Sequence, residues 1–283
     1  MDKRSGGQPA LPPGTPQYFL DDEWMAESRR LVRRWLPAKV YPEPVLKSDR
    51  PWEGPAVVLY GSVLPDPTGG WRLYYSNFVP GFTYEHAGAG GRRPATFLAL
   101  SDDGLAWRKP ELDIVTGEKR QPTNMVFNHG THWDSPSVMF DPGDPHAPWK
   151  MIGFSLDSTT GPAWNDQWGL VALGSTDGLH WTPTRRDGLP NLQAGDRSNL
   201  LAERVNGEYW LYTRHPRMAE HGGSRAVYLS RSPDFVEWTE PELVLAPDLG
   251  DEPDVEFYGM PVFRRHGWFL GLLEYWRSDA DII

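Results

Sequence analysis

Short apolar runs alternate with tight turns along this chain, and three of the turns share the pattern Ser-x-Asp-(Gly/Phe)-(Leu/Val)-x-Trp. They run from Ser101 to Trp107, from Ser175 to Trp181 and from Ser232 to Trp238. An apolar run precedes each turn, at residues 97–100, 170–173 and 226–229. Upstream of these lie aromatic segments of roughly alternating character at 71–76, 149–154 and 209–213, and before those a further set at 56–63, 135–140 and 198–202. Alternation of this kind predicts strands. In the turn itself, Asp is expected to cap backbone N–H groups and Gly to supply a positive φ, with the Trp anchoring the outer strand. A fourth copy begins at 258–263 and continues through 268–275, but the chain stops before its turn motif. One four-stranded unit used about three and a half times predicts an all-β protein.

Four-stranded units repeated in this way assemble radially as the blades of a β-propeller, with each Trp wedged between neighbouring blades. The interval from one motif to the next exceeds the roughly 40–45 residues of the commonest propeller repeat. The extra length falls in loops, notably 82–93 and 157–167, and long propeller loops are where function is expected. Residues 1–16 read as a disordered tail and 17–283 as one propeller domain. The half-blade at the end leaves two expectations. Either residues 17–48, ending in Pro42-Glu-Pro-Val-Leu-Lys47, close the ring as outer strands, or the chain is a fragment truncated at its C-terminus, since a blade cut after two strands has an open edge.

Composition narrows the function. The 14 Trp, 28 Pro and 29 Gly suit short strands and tight turns. A net charge of −10 argues against a nucleic-acid partner despite the local cluster Arg29, Arg30, Arg33 and Arg34. With no Cys there is no disulfide, thiolate metal site or cysteine nucleophile. The first residues have no apolar core of a signal peptide and no run of about 18 apolar residues follows, so a soluble, cytoplasmic protein without a membrane partner is expected.

The turn motif, Pro42-Glu-Pro-Val-Leu46 with Trp52-Glu-Gly54 behind it, and Glu256-Phe-Tyr-Gly-Met-Pro-Val-Phe263 together resemble the five-bladed β-propeller glycosidases. That broad group contains invertases, levanases, arabinanases and xylosidases, and the likeness, to a bacterial branch of it, covers about residues 17–283. The resemblance implies a central funnel with three carboxylates from the inner strands of different blades: a nucleophile or base, a group that orients the sugar, and a general acid. Glycosidic cleavage needs a protonated acid on the leaving oxygen and an ionised carboxylate opposite. Burial and mutual repulsion separate their pKa values.

Position by position, the resemblance makes Asp134 the second-blade carboxylate that stabilises the transition state. Asp196 opens the third inner strand with Arg197 beside it, and Glu256 is the general acid. Glu256 stands five residues before Pro261, whereas the family places its glutamate two before, with Asp254 and Glu252 as nearby substitutes. The first-blade motif is missing, since Leu59-Tyr-Gly-Ser62 occupies its place, leaving Glu53 or Asp21 and Asp22.

Trp133, Trp164, Trp168 and Tyr258 are candidate platforms for the apolar face of a sugar. His132, with His129, could line the funnel alongside Arg197, Arg214 and His215. Trp107, Trp181 and Trp238 belong to the repeat and read as structural. The His-x-x-His spacing lacks the partners of a metal site, so no cofactor is expected; by analogy a Ca²⁺ could sit in the channel, and nothing in the sequence specifies one.

The sequence therefore points to a glycoside hydrolase-like propeller with a carbohydrate partner. A non-catalytic carbohydrate-binding propeller is the first alternative. A glycoside phosphorylase, which would need two or more cationic side chains beside the acid, is the second, and a protein-interaction propeller the third.

Overall fold

The computed structural model describes residues 14, 16–20, 22, 25, 27–78, 94–115, 121–128, 133–155, 169–185, 189, 192, 194–216 and 225–277, and every regular element among them is a β-strand. The first antiparallel sheet runs in the order β1 (Val57–Pro65), β2 (Trp71–Phe78), β3 (Pro94–Ser101) and β4 (Trp107–Arg108), with β5 (Met125–Phe127) also paired on β3. The second is β6 (Trp133–Phe140), β7 (Trp149–Ser155), β8 (Gly169–Ser175) and β9 (Thr182–Pro183). The third is β10 (Ser198–Leu200), β11 (Tyr209–Pro216), β12 (Arg225–Ser232) and β13 (Glu242–Leu245). The fourth copy is one interrupted hairpin, in which β14 (Val255–Gly259) and β15 (Val262–Arg265) turn back as β16 (Trp268–Gly271) and β17 (Glu274–Arg277). Three complete blades and half of a fourth are therefore present among the described residues.

Successive blades pack face to face through apolar side chains. Tyr74, Leu98, Val138 and Trp149 fill the gap between the first and second blades. Ile152, Phe154, Leu200 and Leu211 fill the next, and Tyr212, Val227, Val255 and Phe257 the third. Each such side chain, fully buried, contributes about 1.5–3 kcal/mol. The wedge role of the repeat tryptophans is present in two copies: Trp181 meets Tyr74 of the preceding blade edge-on at 6.0 Å, and Trp238 joins the cluster between the second and third blades. Trp107 instead packs with Leu46 and Trp52 on the first blade's other face, and its indole donates to the Gly104 carbonyl at 3.0 Å.

The turn motif is a self-contained hydrogen-bond device. Ser101 Oγ accepts from the N–H groups of Asp103 and Gly104 at 3.3 and 2.9 Å, and Asp103 Oδ1 accepts from Leu105 and Ala106, both at 2.8 Å. The Ser175 and Ser232 copies repeat the same four bonds. The geometry requires a left-handed residue: φ is +76° at Gly104 and +74° at Gly178, yet the third copy places Phe235 there at +67°. Phe235 is fully buried, edge-on to Tyr209 at 5.1 Å and beneath the Lys150 ammonium at 5.4 Å. A non-glycine residue held at such a φ costs about 1–3 kcal/mol, whereas truncating a buried Phe costs about 3–5 kcal/mol. Packing wins. Phe235→Gly is accordingly expected to lower stability by about 2 kcal/mol in urea denaturation despite relieving the backbone; a more stable variant would show that strain dominates.

The described part of residues 17–48 forms no strand. The N-terminal segment touches the fourth blade at two points: Trp268 Nε1 donates to the Pro16 carbonyl at 3.1 Å and Tyr18 lies beside His266. The loops 82–93 and 157–167, and with them the candidates His129, His132, Trp164, Trp168 and Asp21, lie outside the described residues.

Candidate active site

Three inner strands break register at their site-bearing stretch: β1 between Val58 and Ser62, β6 between Asp134 and Ser137, and β14 between Phe257 and Gly259. Bulges re-aim side chains out of the regular alternation; Tyr60 and Tyr258 lie within these irregularities, and Asp134 is the last paired residue before the one in β6. Tyr60 and Tyr258 stack at 6.4 Å across the first and fourth blades. Arg197, from the approach to β10, lies over Tyr60 at 4.9 Å, while Arg214 and Arg225 lie over Tyr258 at 4.9 and 5.4 Å. Two tyrosines and three guanidiniums from three blades thus form one contiguous surface.

Each arginine is matched to a carboxylate. Arg214 Nη2 is 2.7 Å from Asp196 Oδ1. Arg225 pairs with Glu256, and Arg197 grips both oxygens of Glu274, with Nε at 3.0 and 2.8 Å and Nη2 on Oε1. The last grip depends on Gly259, because a Cβ there would lie 2.5 Å from Arg197 Cγ and 2.7 Å from Glu274 Oε2. Among the described residues no group of three His, Cys, Asp or Glu side chains is placed to hold a metal ion. With three of the site's carboxylates taken up by arginine, the donor set does not fit the Ca²⁺ suggested by resemblance.

Asp134 differs from the others. Loss of water around its half-buried side chain, with the negative charge of Asp196 nearby, pushes its pKa up to about 6; the Ser135 N–H, donated to Oδ1 at 2.6 Å, and the Arg197 charge pull the other way and only partly offset this. The residue that supplies that N–H, Ser135, sits in the left-handed region at φ +51°, immediately before Pro136. Asp134 therefore keeps a proton at a pH where ordinary carboxyl groups have lost theirs.

The other sequence candidates divide. Asp196, Arg197, Arg214, Glu256 and Tyr258 are brought together with Asp134. Glu256, assigned as acid by resemblance, is buried and paired with the Arg225 guanidinium. Glu53 is elsewhere: it is buried on the first blade's outer side, where Oε1 accepts from Tyr75 at 2.8 Å and Oε2 from Lys109 at 2.6 Å and from the Asp49 and Arg50 N–H groups at 3.0 Å. Both oxygens are committed to holding residues 47–54 on the blade. Trp133 is not a sugar platform either, for it is fully buried between the first two blades with its indole donated to Thr96 Oγ1 at 2.8 Å.

His215 faces the opposite side of its sheet from Arg214, as alternation dictates. It lies beside Tyr228 at 4.8 Å, and burial pulls its pKa down to about 4. Asp22 pairs with Arg33 at the surface, and Glu252 and Asp254 face Arg277.

Sequence reasoning missed Tyr60, Arg225 and Glu274. Tyr60 occupies the slot where the first-blade carboxylate was sought, and that position was the available signal. Arg225 and Glu274 carry no local motif.

The fold is similar to that of the beta-1,2-mannobiose phosphorylase from Listeria innocua, with 13% identity and a TM-score of 0.50 over 80% of this chain and 69% of that one. It is similar also to a Parabacteroides distasonis protein provisionally described as a glycoside hydrolase, with 15% identity and a TM-score of 0.50 over 78% of this chain and 62% of that one. No family profile and no curated sequence matches the chain. The chain thus shares the propeller fold of these proteins while spanning about two thirds of their length.

Proposed function

We propose that this protein cleaves a glycosidic bond, with Asp134 as the group that protonates the leaving oxygen and Asp196 as the second carboxylate. The observation that carries this reading is the raised proton affinity of Asp134 in a site that holds a second carboxyl group, Asp196, beside it. Asp134 retains its proton to about pH 6, while Asp196 beside it is paired with Arg214. A carboxyl group held protonated beside a second carboxylate is what glycosidic cleavage requires of its acid. Tyr60 and Tyr258 offer faces for the C–H surface of a sugar ring, and the arginines offer donors for its hydroxyls. The two proteins of like fold are described as a phosphorylase of mannobiose and as a glycoside hydrolase, and both descriptions concern glycosidic bonds.

Transfer to phosphate rather than water is the second reading, favoured by the convergence of Arg197, Arg214 and Arg225 on the two tyrosines. Hydrolysis is preferred because each guanidinium already faces a carboxylate, which reduces the site's appeal to a second anion. The test is incubation with a panel of β- and α-linked oligosaccharides, with and without inorganic phosphate. Free reducing sugar in both conditions supports hydrolysis, and a sugar phosphate formed only with phosphate supports phosphorolysis. Binding without either product would overturn the enzymatic reading in favour of a carbohydrate-binding propeller.

A further inference from the structure

We propose that Ser62 and Ser137 are positioning residues, whose hydroxyls pin the bulged inner strand that presents Asp134 to the inner strands on either side. The inference rests on the role given to Asp134 above. Among the described residues successive blades share no backbone ladder, so no ladder fixes one inner strand against the next. Side-chain hydrogen bonds supply the missing tie. The Val138 N–H donates to Ser62 Oγ at 2.8 Å, joining β6 to β1, and the Leu200 N–H donates to Ser137 Oγ at 2.8 Å, joining β10 to β6.

Their places in the register give the two serines a specific task. Ser62 is the first paired residue after the irregularity in β1 that carries Tyr60, and Ser137 is the first after the irregularity in β6 that directly follows Asp134. Each therefore marks the point at which a bulge is anchored. Between Asp134 and Ser137 the chain passes through Ser135 at φ +51° followed by Pro136, a conformation that persists only where its surroundings over-determine it. The hydrogen bonds made directly after this stretch, at Ser137 and Val138, to the strands on either side provide that constraint. The second also fixes β10 directly after Asp196 and Arg197, the two groups whose charges act on Asp134. Among the described residues neither serine makes a hydrogen bond to a side chain of the site, so each acts through the strand it holds.

Ser62→Ala and Ser137→Ala are tested beside Ser62→Thr and Ser137→Thr, which keep the hydroxyl. Two readouts are taken: the carboxyl titration midpoint of Asp134 by carbon NMR, and kcat and KM on any glycoside that the protein cleaves. The alanine variants are expected to lower the Asp134 midpoint by about one pH unit as water reaches the carboxyl group. They should reduce kcat by about 10- to 100-fold, with KM changed less than about threefold. The threonine variants should restore both. Should an alanine variant not fold, the corresponding Ser→Cys variant, whose sulfur is a weak acceptor, takes its place. Unchanged midpoint and kcat with only a lower melting temperature would overturn the proposal and leave the serines as ordinary structural ties. If the parent cleaves no glycoside, the NMR midpoint alone decides this inference, and the proposed function fails separately.

Discussion

Asp134→Asn should abolish most turnover and at the same time make the protein more stable at alkaline pH. Loss of a general acid removes about 10²- to 10⁴-fold in rate. The stability gain follows from linkage. The native carboxyl titrates near 6 against 3.8 in the unfolded chain, so the folded state holds the proton more tightly across that window. The stabilisation this gives is full below about pH 4 and is lost as the pH rises through 6. Above pH 6 the native state carries a poorly solvated charge at a cost of about 3 kcal/mol, since each tenfold change in proton affinity is worth about 1.4 kcal/mol. Asparagine has the same shape and no charge, so unfolding at about pH 8 should require about 1–3 kcal/mol more than in the parent, while at about pH 4 the two should nearly coincide. His215 contributes with the opposite sign, since its native value near 4 lies below the unfolded 6.5. Its stabilisation is present above pH 6.5 and lost as the pH falls through 4. The two windows overlap and oppose each other in the parent, so the variant should show a steeper loss on acidification. Denaturant melts from about pH 4 to 8 measure all of this, and equal stability at the alkaline end would mean that Asp134 is well solvated.

Lys109→Met should destabilise the protein by about 3–5 kcal/mol, because it strands a buried carboxylate. The Lys109 ammonium lies 2.6 Å from Glu53 Oε2, 2.7 Å from Asp49 Oδ1 and 2.5 Å from the Lys47 carbonyl, and the Glu53 side chain has no exposed surface. Its loss leaves Glu53 with the Tyr75 hydroxyl and two N–H groups against a full negative charge. The double variant Glu53→Gln, Lys109→Met removes that charge and should recover most of the loss, which a double-mutant cycle in urea would detect as a large coupling. Turnover per folded molecule should change less than about twofold in the double variant, because the pair lies away from the proposed site. A loss of about 100-fold would instead return Glu53 to the chemistry.

Sequence and structure agree where the stabilising contacts are local. The Ser-x-Asp turn is visible in the sequence because all four of its hydrogen bonds close within three residues, and the strands beside it follow from the alternation. Asp134, Asp196 and Glu256 were singled out by the resemblance, and each lies at or just before the start of an inner strand. Pairings across blades could not be found in the sequence, since Arg197 and Glu274 are separated by 77 positions and Arg225 and Glu256 by 31. The role of Trp133 was misread although the sequence held the clue, because neighbours on a strand point to opposite faces and only one of Trp133 and Asp134 can face the site. Glu53 was chosen for its type and place in the chain, but burial beside Lys109 is a property of the folded first blade alone.

The most direct test of Asp134 as the proton donor is the pH dependence of kcat/KM for a glycoside that the protein cleaves. An alkaline limb falling with a midpoint near 6, and absent from the residual activity of Asp134→Asn, is the predicted result. Activity that stays level from about pH 5 to 8, or a limb that survives unchanged in the variant, would contradict it and assign the proton to another group.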